Sequence, residues 1–593
     1  MTYTPPPSFT TRPQLAGTFG MAASTHATAT AVAQAVLERG GNAFDAACAG
    51  GFVLHIVEPH LNGPGGDLVG IFQTADAAGP TVLMGQGPAP AAASIEHFRS
   101  EGLDIVPGAG GLAAAVPGAV DAWLVLLRDH GTWELADVLA YAIGYARDGH
   151  PLLAQAALTI ARVADLFRTG WTSSGDLWLV DGQAPAAGSV HVNPAYAATL
   201  ERLVDAGAAA PDRTGRIDAA RREWKTGVVA QAASAFLAAP HRHATGGDHA
   251  GVITPDDFAA FDAGYESPVT VGFRGRTVAK AGAWTQGPAL LEALRILEPL
   301  DDDRLDPATV DGAHTLIETL KLVLADRDAY FGHGSDTSGL LSDDVVAARR
   351  ADIGSGASDR WRPAEVPGLT AWHPPLRRAD GTVHAPGTGE PTVAKTGVTR
   401  GDTCHIDVVD RWGNIIAVTP SGGWLQSSPT IPDLGFCLGT RLQMCWLDED
   451  SPAALVPGRR PRTTLSPTLV QDGDTTIALG TPGGDQQDQW QLPMLLRMLV
   501  GGYTAQQAID APTLHTTAMV DSFWPRTWTP AGVVAEDRLG DEVIGGLALR
   551  GHDVARAGDW ALGRLSAVGL DRATGLVWAA ANPRGMQGYA AGR

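Results

Sequence analysis

Hydrophobic residues recur at helical spacing through much of the first part of the chain. Residues 27–39 are alanine-rich and periodic, and Ala43–Val57 predicts a second helix after a Gly-Gly-Asn turn. Residues 61–67, LNGPGGD, then form a tight glycine loop. Alanine and leucine repeat again between about 108 and 239 and between 310 and 332. This pattern predicts helices packed on one or two faces of a sheet.

After residue 401 the pattern changes to short β-like runs separated by turns. Residues 405–409 and 415–419 flank an Asp-Arg-Trp-Gly-Asn turn and predict a hairpin, and 464–470 and 475–479 predict two further strands. Between the two parts, residues 354–400 are rich in glycine, proline and charge, which predicts an exposed connector. A cut there would separate a helix-rich part from a strand-rich one.

Composition narrows the class of protein. The 593 residues are 45% hydrophobic and carry a formal net charge of -21 without any long basic run, which is typical of a globular protein and argues against nucleic acid as a partner. The longest apolar stretch is too short to span a bilayer, and the N-terminus does not resemble a secretory signal. The four cysteines form no Cys-x-x-Cys pair. These features predict a cytoplasmic protein without membrane insertion.

Several common catalytic patterns do not occur in the sequence. It contains no Gly-x-Ser-x-Gly elbow, no phosphate-binding Gly-Lys-Ser/Thr loop and no His-Glu-x-x-His helix. His241, His243 and His249 cluster in PHRHATGGDH, and a solvated polar loop is the preferred interpretation over a metal site. The sequence therefore predicts no bound metal.

Thr403 opens the predicted hairpin directly after the connector. A threonine hydroxyl is a weak nucleophile unless a base lies beside it. If the Asp402–Thr403 bond were cleaved, the new α-amino group, with a reference pKa of about 8, would supply that base. Gly483 and Gly484, in LGTPGGDQQ, offer backbone N–H groups for an oxyanion. Threonine at a strand start and Gly-Gly in a turn are also common structural choices, so the residues alone leave both interpretations open.

Five stretches resemble the γ-glutamyltranspeptidase family in order and spacing, over nearly the whole chain. They are GMAASTHATATAVAQAVLERGGNAFDAA from Gly20, VEPHLNGPGGD from Val57, DTCHIDVVDRWGNIIAVT from Asp402, RPRTTLSPT from Arg460 and TPGGD from Thr481. The resemblance implies an α+β fold, a four-layer αββα sandwich of the N-terminal-nucleophile hydrolase type. It also implies self-cleavage between Asp402 and Thr403 and no metal or organic cofactor.

The resemblance further implies an assembly and a set of catalytic roles. Residues 1–402 would form a large subunit and residues 403–593 a small one, joined as a heterodimer that can pair into a dimer of heterodimers. Thr403 would be the nucleophile, Ser421 the assisting hydroxyl, and Gly483 with Gly484 the oxyanion hole.

The chain departs from the family at the residues that would hold a glutamyl group. The carboxylate-binding arginine falls at Gln86, and a neutral amide cannot replace a charged fork. The amino-binding aspartate falls near Trp446, and its assisting asparagine at Gly423. Thr463 and Thr464 keep the paired hydroxyl donors of the family, and Gln443 keeps its counterpart. The alternative is that Gln86 and Trp446 are packing residues and that other side chains hold a glutamyl substrate.

These features favour an acyl hydrolase or acyltransferase that cleaves an amide-type bond of a small molecule, with glutathione an unfavoured substrate. The named alternative is a C–C bond hydrolase that releases an oxalyl unit in the biosynthesis of 4-alkyl-proline antibiotics. Two other hypotheses stay open: a true γ-glutamyltransferase or glutathione hydrolase, and a binding protein that has lost catalysis. Intact Thr403, Gly483 and Gly484 argue against the last.

Overall fold

The computed structural model describes residues 3–378 and 403–593. Asp402, the predicted residue on the other side of the cleavage site, lies outside these residues. The α-helices are α1 Ala27–Glu38, α2 Ala43–Val57, α3 Ile95–Ser100, α4 Ala119–His130, α5 Leu135–Asp148, α6 Ala154–Thr169, α7 Thr172–Trp178, α8 Pro194–Ala206, α9 Arg213–Thr226, α10 Val228–Leu237, α11 Pro255–Ala260, α12 Gly287–Leu297, α13 Val310–Tyr330, α14 Asp343–Ala351, α15 Gln487–Leu499, α16 Ala505–Asp510 and α17 Asp541–Leu549.

The described strands lie before residue 379 and after residue 402, and β12 falls within the predicted connector. They are β1 Leu15–Gly17, β2 Gly20–Ser24, β3 Asp67–Gln73, β4 Thr81–Gly85, β5 His150–Pro151, β6 Val190–His191, β7 Pro240–Arg242, β8 Asp248–Ala250, β9 Gly264–Glu266, β10 Val269–Phe273, β11 Arg276–Lys280, β12 Arg377–Arg378, β13 Ile406–Asp410, β14 Ile415–Ser421, β15 Thr468–Asp472, β16 Thr475–Gly480, β17 Leu514–Thr516, β18 Thr527–Trp528, β19 Gly532–Ala535, β20 Asp553–Arg556, β21 Ser566–Asp571, β22 Leu576–Ala581 and β23 Tyr589–Gly592.

Two seven-stranded antiparallel sheets form the centre of the molecule. Sheet 1 has the order β23-β2-β13-β14-β3-β4-β9, and sheet 2 has the order β1-β22-β21-β16-β15-β11-β10. One apolar core, with Val409 and Ala417 from sheet 1 and Ala478 and Val568 from sheet 2, lies between them. A second core joins the outer face of sheet 1 to helices that include α1, α2 and α4, and a third joins sheet 2 to α12, α13 and α15. Burial of these apolar faces holds the layers together.

Both sheets contain strands from before and after the connector. In sheet 1, β13 pairs with β2 and β14 pairs with β3, and in sheet 2, β15 pairs with β11. Twelve of the 23 described strands precede residue 379. The first part of the chain is thus rich in helices but also supplies half of the described strands, and each sheet is built from both parts.

Several elements agree with the pattern of the sequence. Helix α2 has the predicted bounds, because Asn42 caps it and Asp45 completes a capping box. The hairpin of β13 and β14 is also confirmed, with Ile406 opposite Val418. Together with the two sheets, these elements confirm a mixed α+β fold.

Other elements differ from the predictions for identifiable reasons. Strand β3 was missed because all seven of its residues are buried, so no polar alternation marks it. The run at 464–470 becomes a strand only from Thr468, because the Ser466 amide donates to the Gln487 side chain (2.9 Å) and Pro467 has no N–H.

The histidine cluster is a β-hairpin of β7 and β8, so the prediction of a solvated loop is wrong for His243. The ring of His243 is 3% exposed and packs against His249, and its Nε2 accepts a hydrogen bond from the Leu112 amide (3.3 Å). His249 contacts Glu101 through Nδ1 (2.7 Å). The protein thus engages one ring nitrogen of each of these two histidines.

Across the described residues, every helix is too short or too polar to cross a lipid bilayer.

Candidate active site

Thr403 lies at the entry of the hairpin and is completely buried. It forms an isolated antiparallel bridge with Ser421, the last residue of β14, and the next amide, of Cys404, donates to the Pro420 carbonyl (2.9 Å). The two hydroxyl oxygens, Thr403 Oγ1 and Ser421 Oγ, are 3.2 Å apart. The strand pairing therefore places the predicted nucleophile and its predicted assisting hydroxyl within hydrogen-bond distance.

The glycine loop at 61–67 supports the end of β14 from one side. The Gly63 amide donates to the Gly422 carbonyl at 2.8 Å. Asp67, opposite Ser421 in the sheet, forms a bidentate ion pair with Arg441 at 2.6 and 2.7 Å. Asp67 and Arg441 are both buried, so their pairing is what makes two charges tolerable there. The loop is therefore a structural brace, in agreement with its interpretation as a turn.

Strand β16 of sheet 2 leads into Gly483 and Gly484, the predicted oxyanion hole, at the same end of the molecule. Gly480, its last residue, packs against the His405 ring, and a Cβ there would lie 2.3 Å from Cε1 of that ring. Gly483 follows with φ of 128°, a conformation that favours glycine. Among the described residues, the N–H groups of Gly483 and Gly484 donate to no protein acceptor. Two free N–H groups at the end of a strand are suited to bind an oxyanion.

A buried hydrogen-bonded chain connects the two sheets behind Thr403. His405 contacts Thr419 Oγ1 through Nδ1 and Asp407 Oδ1 through Nε2, both at 2.8 Å. Ser566 of sheet 2 donates to Asp407 Oδ2 at 2.6 Å. Burial raises the pKa of Asp407 above its ordinary value. Sequence reasoning missed these residues, although His405 and Asp407 lie two and four positions after Thr403, on the same side of the strand.

The predicted substrate-contacting residues that keep the family pattern are buried near this end. The Thr463 amide donates to the Trp284 carbonyl (2.9 Å), and within the described chain Thr464 Oγ1 has no hydrogen-bond partner. Gln443 is engaged by the protein itself: its Nε2 donates to Gly108 O (3.3 Å), and its Oε1 accepts from the Trp524 amide (3.2 Å). Thr464 therefore keeps a free hydroxyl, whereas the amide of Gln443 is occupied.

Gln86, Trp446 and Gly423 stand where the sequence differs from the family pattern. None of them has a charged side chain that could pair with a glutamyl zwitterion. Gln86 is fully buried beside its own loop, and its Nε2 lies 3.4 Å from Gly87 O. Trp446 packs between Trp372, at 5.0 Å, and the guanidinium of Arg526, which lies 4.0 Å from the ring centre. A Cβ on Gly423 would lie 2.7 Å from Gly66 N, so only glycine fits there. A cation thus stands beside the position where the family aspartate was expected.

One group of side chains in the described residues has the spacing of metal ligands: His314, Glu318 and His552. The Lys321 ammonium lies 3.3 Å from His552 Nδ1, so this nitrogen must accept. His552 Nε2–H then donates to His314 Nδ1 (2.9 Å), and His314 Nε2–H donates to Gly354 O (2.9 Å). This directional chain satisfies two neutral imidazoles without an ion.

Acidification should weaken the fold at this chain. Burial and the charge of Lys321 lower the pKa of His552 to about 3, and the pKa of His314 is lowered mainly by burial. Because the unfolded rings titrate near 6.5, the unfolded state binds more protons at lower pH, so the stabilisation present above pH 6.5 is lost as the pH falls towards 3. Between pH 7 and 5 the free energy of unfolding should fall by roughly 1 kcal/mol from His552, discounted for partial solvent access.

Denaturant unfolding at pH 7, 6 and 5 measures this loss. The variant His552→Gln keeps one acceptor and one donor but cannot titrate, so its stability should depend less on pH than that of the wild type. Equal pH dependence in the two proteins would contradict the assigned chain.

The fold and the site together define an enzyme of the N-terminal-nucleophile hydrolase class. Two antiparallel sheets present a buried threonine, a neighbouring hydroxyl and a pair of free amide groups at one end.

Comparison with known proteins then gives the family. The family described as gamma-glutamyltranspeptidase matches residues 29–592, and the chain belongs to it. The glutathione hydrolase-like YwrD proenzyme of Bacillus subtilis is 30% identical over 96% of this chain and 98% of its own. The oxamate amidohydrolase proenzyme of Klebsiella pneumoniae is 29% identical over 97% and 98%. The solved structure of LmbA2991HD is 49% identical, with a TM-score of 0.93 over 99% of this chain and 100% of that one.

Proposed function

We propose that this chain is a self-processing acyl hydrolase that uses Thr403 as its amino-terminal nucleophile. The observation that carries the proposal is the 3.2 Å contact of Thr403 Oγ1 with Ser421 Oγ, at the same end as the free amides of Gly483 and Gly484. The relatives YwrD and oxamate amidohydrolase are both described as proenzymes, which supports processing of this chain as well.

The proposed reaction runs through an acyl-enzyme. The freed α-amino group takes the hydroxyl proton while Oγ1 of Thr403 bonds to the substrate carbonyl carbon, and the N–H groups of Gly483 and Gly484 stabilise the oxyanion. The C–N bond then breaks, and the leaving nitrogen receives the proton. Water adds to the ester in the same way, which releases the acid and restores the threonine. Ser421 holds Oγ1 in line for both steps.

The assembly follows from the cut. Residues 1–402 would form the large subunit and residues 403–593 the small one, and the two would remain paired as a heterodimer. The three apolar cores support an αββα order of layers, with the reaction at one end of the gap between the sheets.

The substrate is proposed to be a small acyl donor other than a γ-glutamyl compound. Gln86 carries no charge for the glutamyl carboxylate, and Arg526 beside Trp446 would repel the glutamyl ammonium. The oxamate amidohydrolase relative indicates a shorter acyl group, since oxamate is the monoamide of oxalic acid.

A second candidate is hydrolysis of a C–C bond with release of an oxalyl unit, as in 4-alkyl-proline antibiotic pathways. The similarity to oxamate amidohydrolase favours this candidate too, because an oxalyl group and oxamate share a carbonyl bonded directly to a carboxylate. The carbon that leaves would depart with the bonding electron pair and take up the proton that nitrogen takes in the amide reaction.

Mass spectrometry and a substrate pair test the proposal. Purified protein should contain a fragment of 191 residues that begins at Thr403, and it should release oxalate from oxamate faster than it releases the chromophore from a γ-glutamyl anilide. A single uncut chain of 61.6 kDa would refute self-processing. Efficient turnover of the anilide would instead show that the glutamyl site is intact.

A further inference from the structure

Arg462, immediately before Thr463 and Thr464, is a buried cation with an unused donor. Arg462 is only 6% exposed, and its Nη2 donates a hydrogen bond to Ser522 Oγ at 2.6 Å. Its Nη1 is buried and has no hydrogen-bond partner in the described part of the chain. A guanidinium that keeps a desolvated N–H group unpaired is costly for the fold, so a bound molecule that accepts this hydrogen bond, such as a ligand or a water, would stabilise it.

The charges around Arg462 do not balance. Arg327, Arg462 and Arg526 face two carboxylates, Asp328 and Asp485, and Arg327 forms ion pairs with both. Within the described residues, no carboxylate lies at salt-bridge distance from the other two guanidinium groups, and Arg526 donates instead to the carbonyls of residues 443 and 445. Burial and the charge of Arg327 lower the pKa of Arg462 to about 10. An anion bound here would offset the excess positive charge.

The position of this cluster connects it to the reaction. The Ser522 hydroxyl, which accepts the hydrogen bond from Arg462, donates in turn to Asp485 Oδ1 at 2.5 Å. Asp485 directly follows Gly483 and Gly484, whose amides are free within the described residues. Thr464, two residues after Arg462, has the free hydroxyl described above. The unused donors of Arg462 and Thr464 therefore lie on segments bonded to the loop that would hold the oxyanion.

An open cleft leads from the surface to Arg462. It encloses about 390 Å³ including its mouth, and Arg459, Arg460, His333 and Ser451 also line it. Arg460 is fixed by Glu266 at 2.7 Å and by His333 at 3.1 Å. Glu449 also lines the cleft, but the three arginines outnumber this carboxylate, and an excess of positive charge attracts anionic molecules and raises their local concentration.

We propose that Arg462, with Thr464, binds the carboxylate of the acyl group that Thr403 accepts. The acyl group would then be one whose carboxylate adjoins the reacting carbonyl, as in an oxalyl unit. This inference rests on the proposed function and names its substrate class. It also explains the departure at Gln86, because the carboxylate is held from the segment before the paired threonines instead of from the loop after β4.

The test compares an anionic with a neutral substrate of the same shape, oxamate and oxamide. Wild-type enzyme should prefer oxamate. Arg462→Met should lose on the order of 100-fold in kcat/KM for oxamate and should turn over oxamide as before, because only the anion uses the guanidinium. Arg462→Lys keeps the charge and should lose about tenfold, mainly as a higher KM. The exposed Arg202→Met is the matched control and should behave as wild type.

Two results would overturn the proposal. An equal loss for oxamate and oxamide in Arg462→Met would assign the residue a purely structural role, and a wild-type preference for oxamide would exclude carboxylate recognition. If wild-type enzyme cleaves neither compound, the proposed substrate class is refuted. Calorimetric measurement of oxalate binding then tests separately whether Arg462 binds a carboxylate. Weaker binding in the Met and Lys variants would support the site, and unchanged binding in folded variants would reject it.

Discussion

Thr403→Ala should yield a chain that stays intact and shows activity reduced by about 10⁴-fold or more. The substitution removes the hydroxyl that would attack both the chain and the substrate, and it leaves the buried surroundings unchanged. Thr403 is fully buried, and the neighbouring Ser421 hydroxyl, 3.2 Å away, belongs to a residue within the chain that would gain no free amino group from the cut. Gel electrophoresis and intact mass give the first readout, and release of oxalate from oxamate gives the second.

Thr403→Ser is the matched variant, since it keeps the hydroxyl and would generate the same amino group. It should be cut and should retain activity within about tenfold, because only a methyl contact is lost. Processing of the alanine variant at the same site would show that the threonine hydroxyl does not drive the cut.

Gly483→Ala should lower kcat by on the order of 10²- to 10³-fold. At φ of 128° an L-residue is strained, and a Cβ would lie 2.3 Å from the Trp490 ring, so the peptide must rotate and withdraw its N–H from the oxyanion position. KM should change little, because the lost interaction is made in the transition state.

Gly502→Ala provides the control for a positive φ. Gly502 has φ of 68° and open space around its Cβ position, so alanine there should cost about 1 kcal/mol of stability and leave kcat unchanged. Equal losses of activity in the two variants would trace the effect of Gly483 to stability rather than to the oxyanion.

Local sequence signals predicted part of the fold. The Gly-Gly-Asn turn before α2 and the Asp-Arg-Trp-Gly-Asn turn of the hairpin marked these elements in the sequence, and the predicted strand bounds agree with β13 and β14 to within two residues. Strand β3 could not be read in this way, because burial of both faces removes the alternation that marks a strand. Its partner β14 lies more than 340 residues away in sequence, and no local pattern encodes that pairing.

The same limit applied to the candidate site. Thr403, Gly483 and Gly484 stand in short recognisable motifs, whereas Asp407 meets Ser566 only because the two sheets pack face to face. The sequence shows Arg462 directly before the paired threonines. Its proposed role in binding depends on which of its N–H groups has no partner in the described part of the protein, and the sequence does not show this. Hydrogen-bond satisfaction is a property of the packed structure, and residue identity alone does not reveal it.

Each sheet combines strands from both sides of the connector, and this arrangement affects how the mature protein would denature. Once the backbone is cut, β13 and β14 are still clamped between β2 and β3. The two polypeptides can separate only if the strand pairing of sheet 1 is broken. Recovery from denaturation would then require an encounter between separate chains and would depend on protein concentration, whereas the uncut precursor would refold as a single molecule. The cleavage would thus turn a folding reaction within one molecule into an association of two chains.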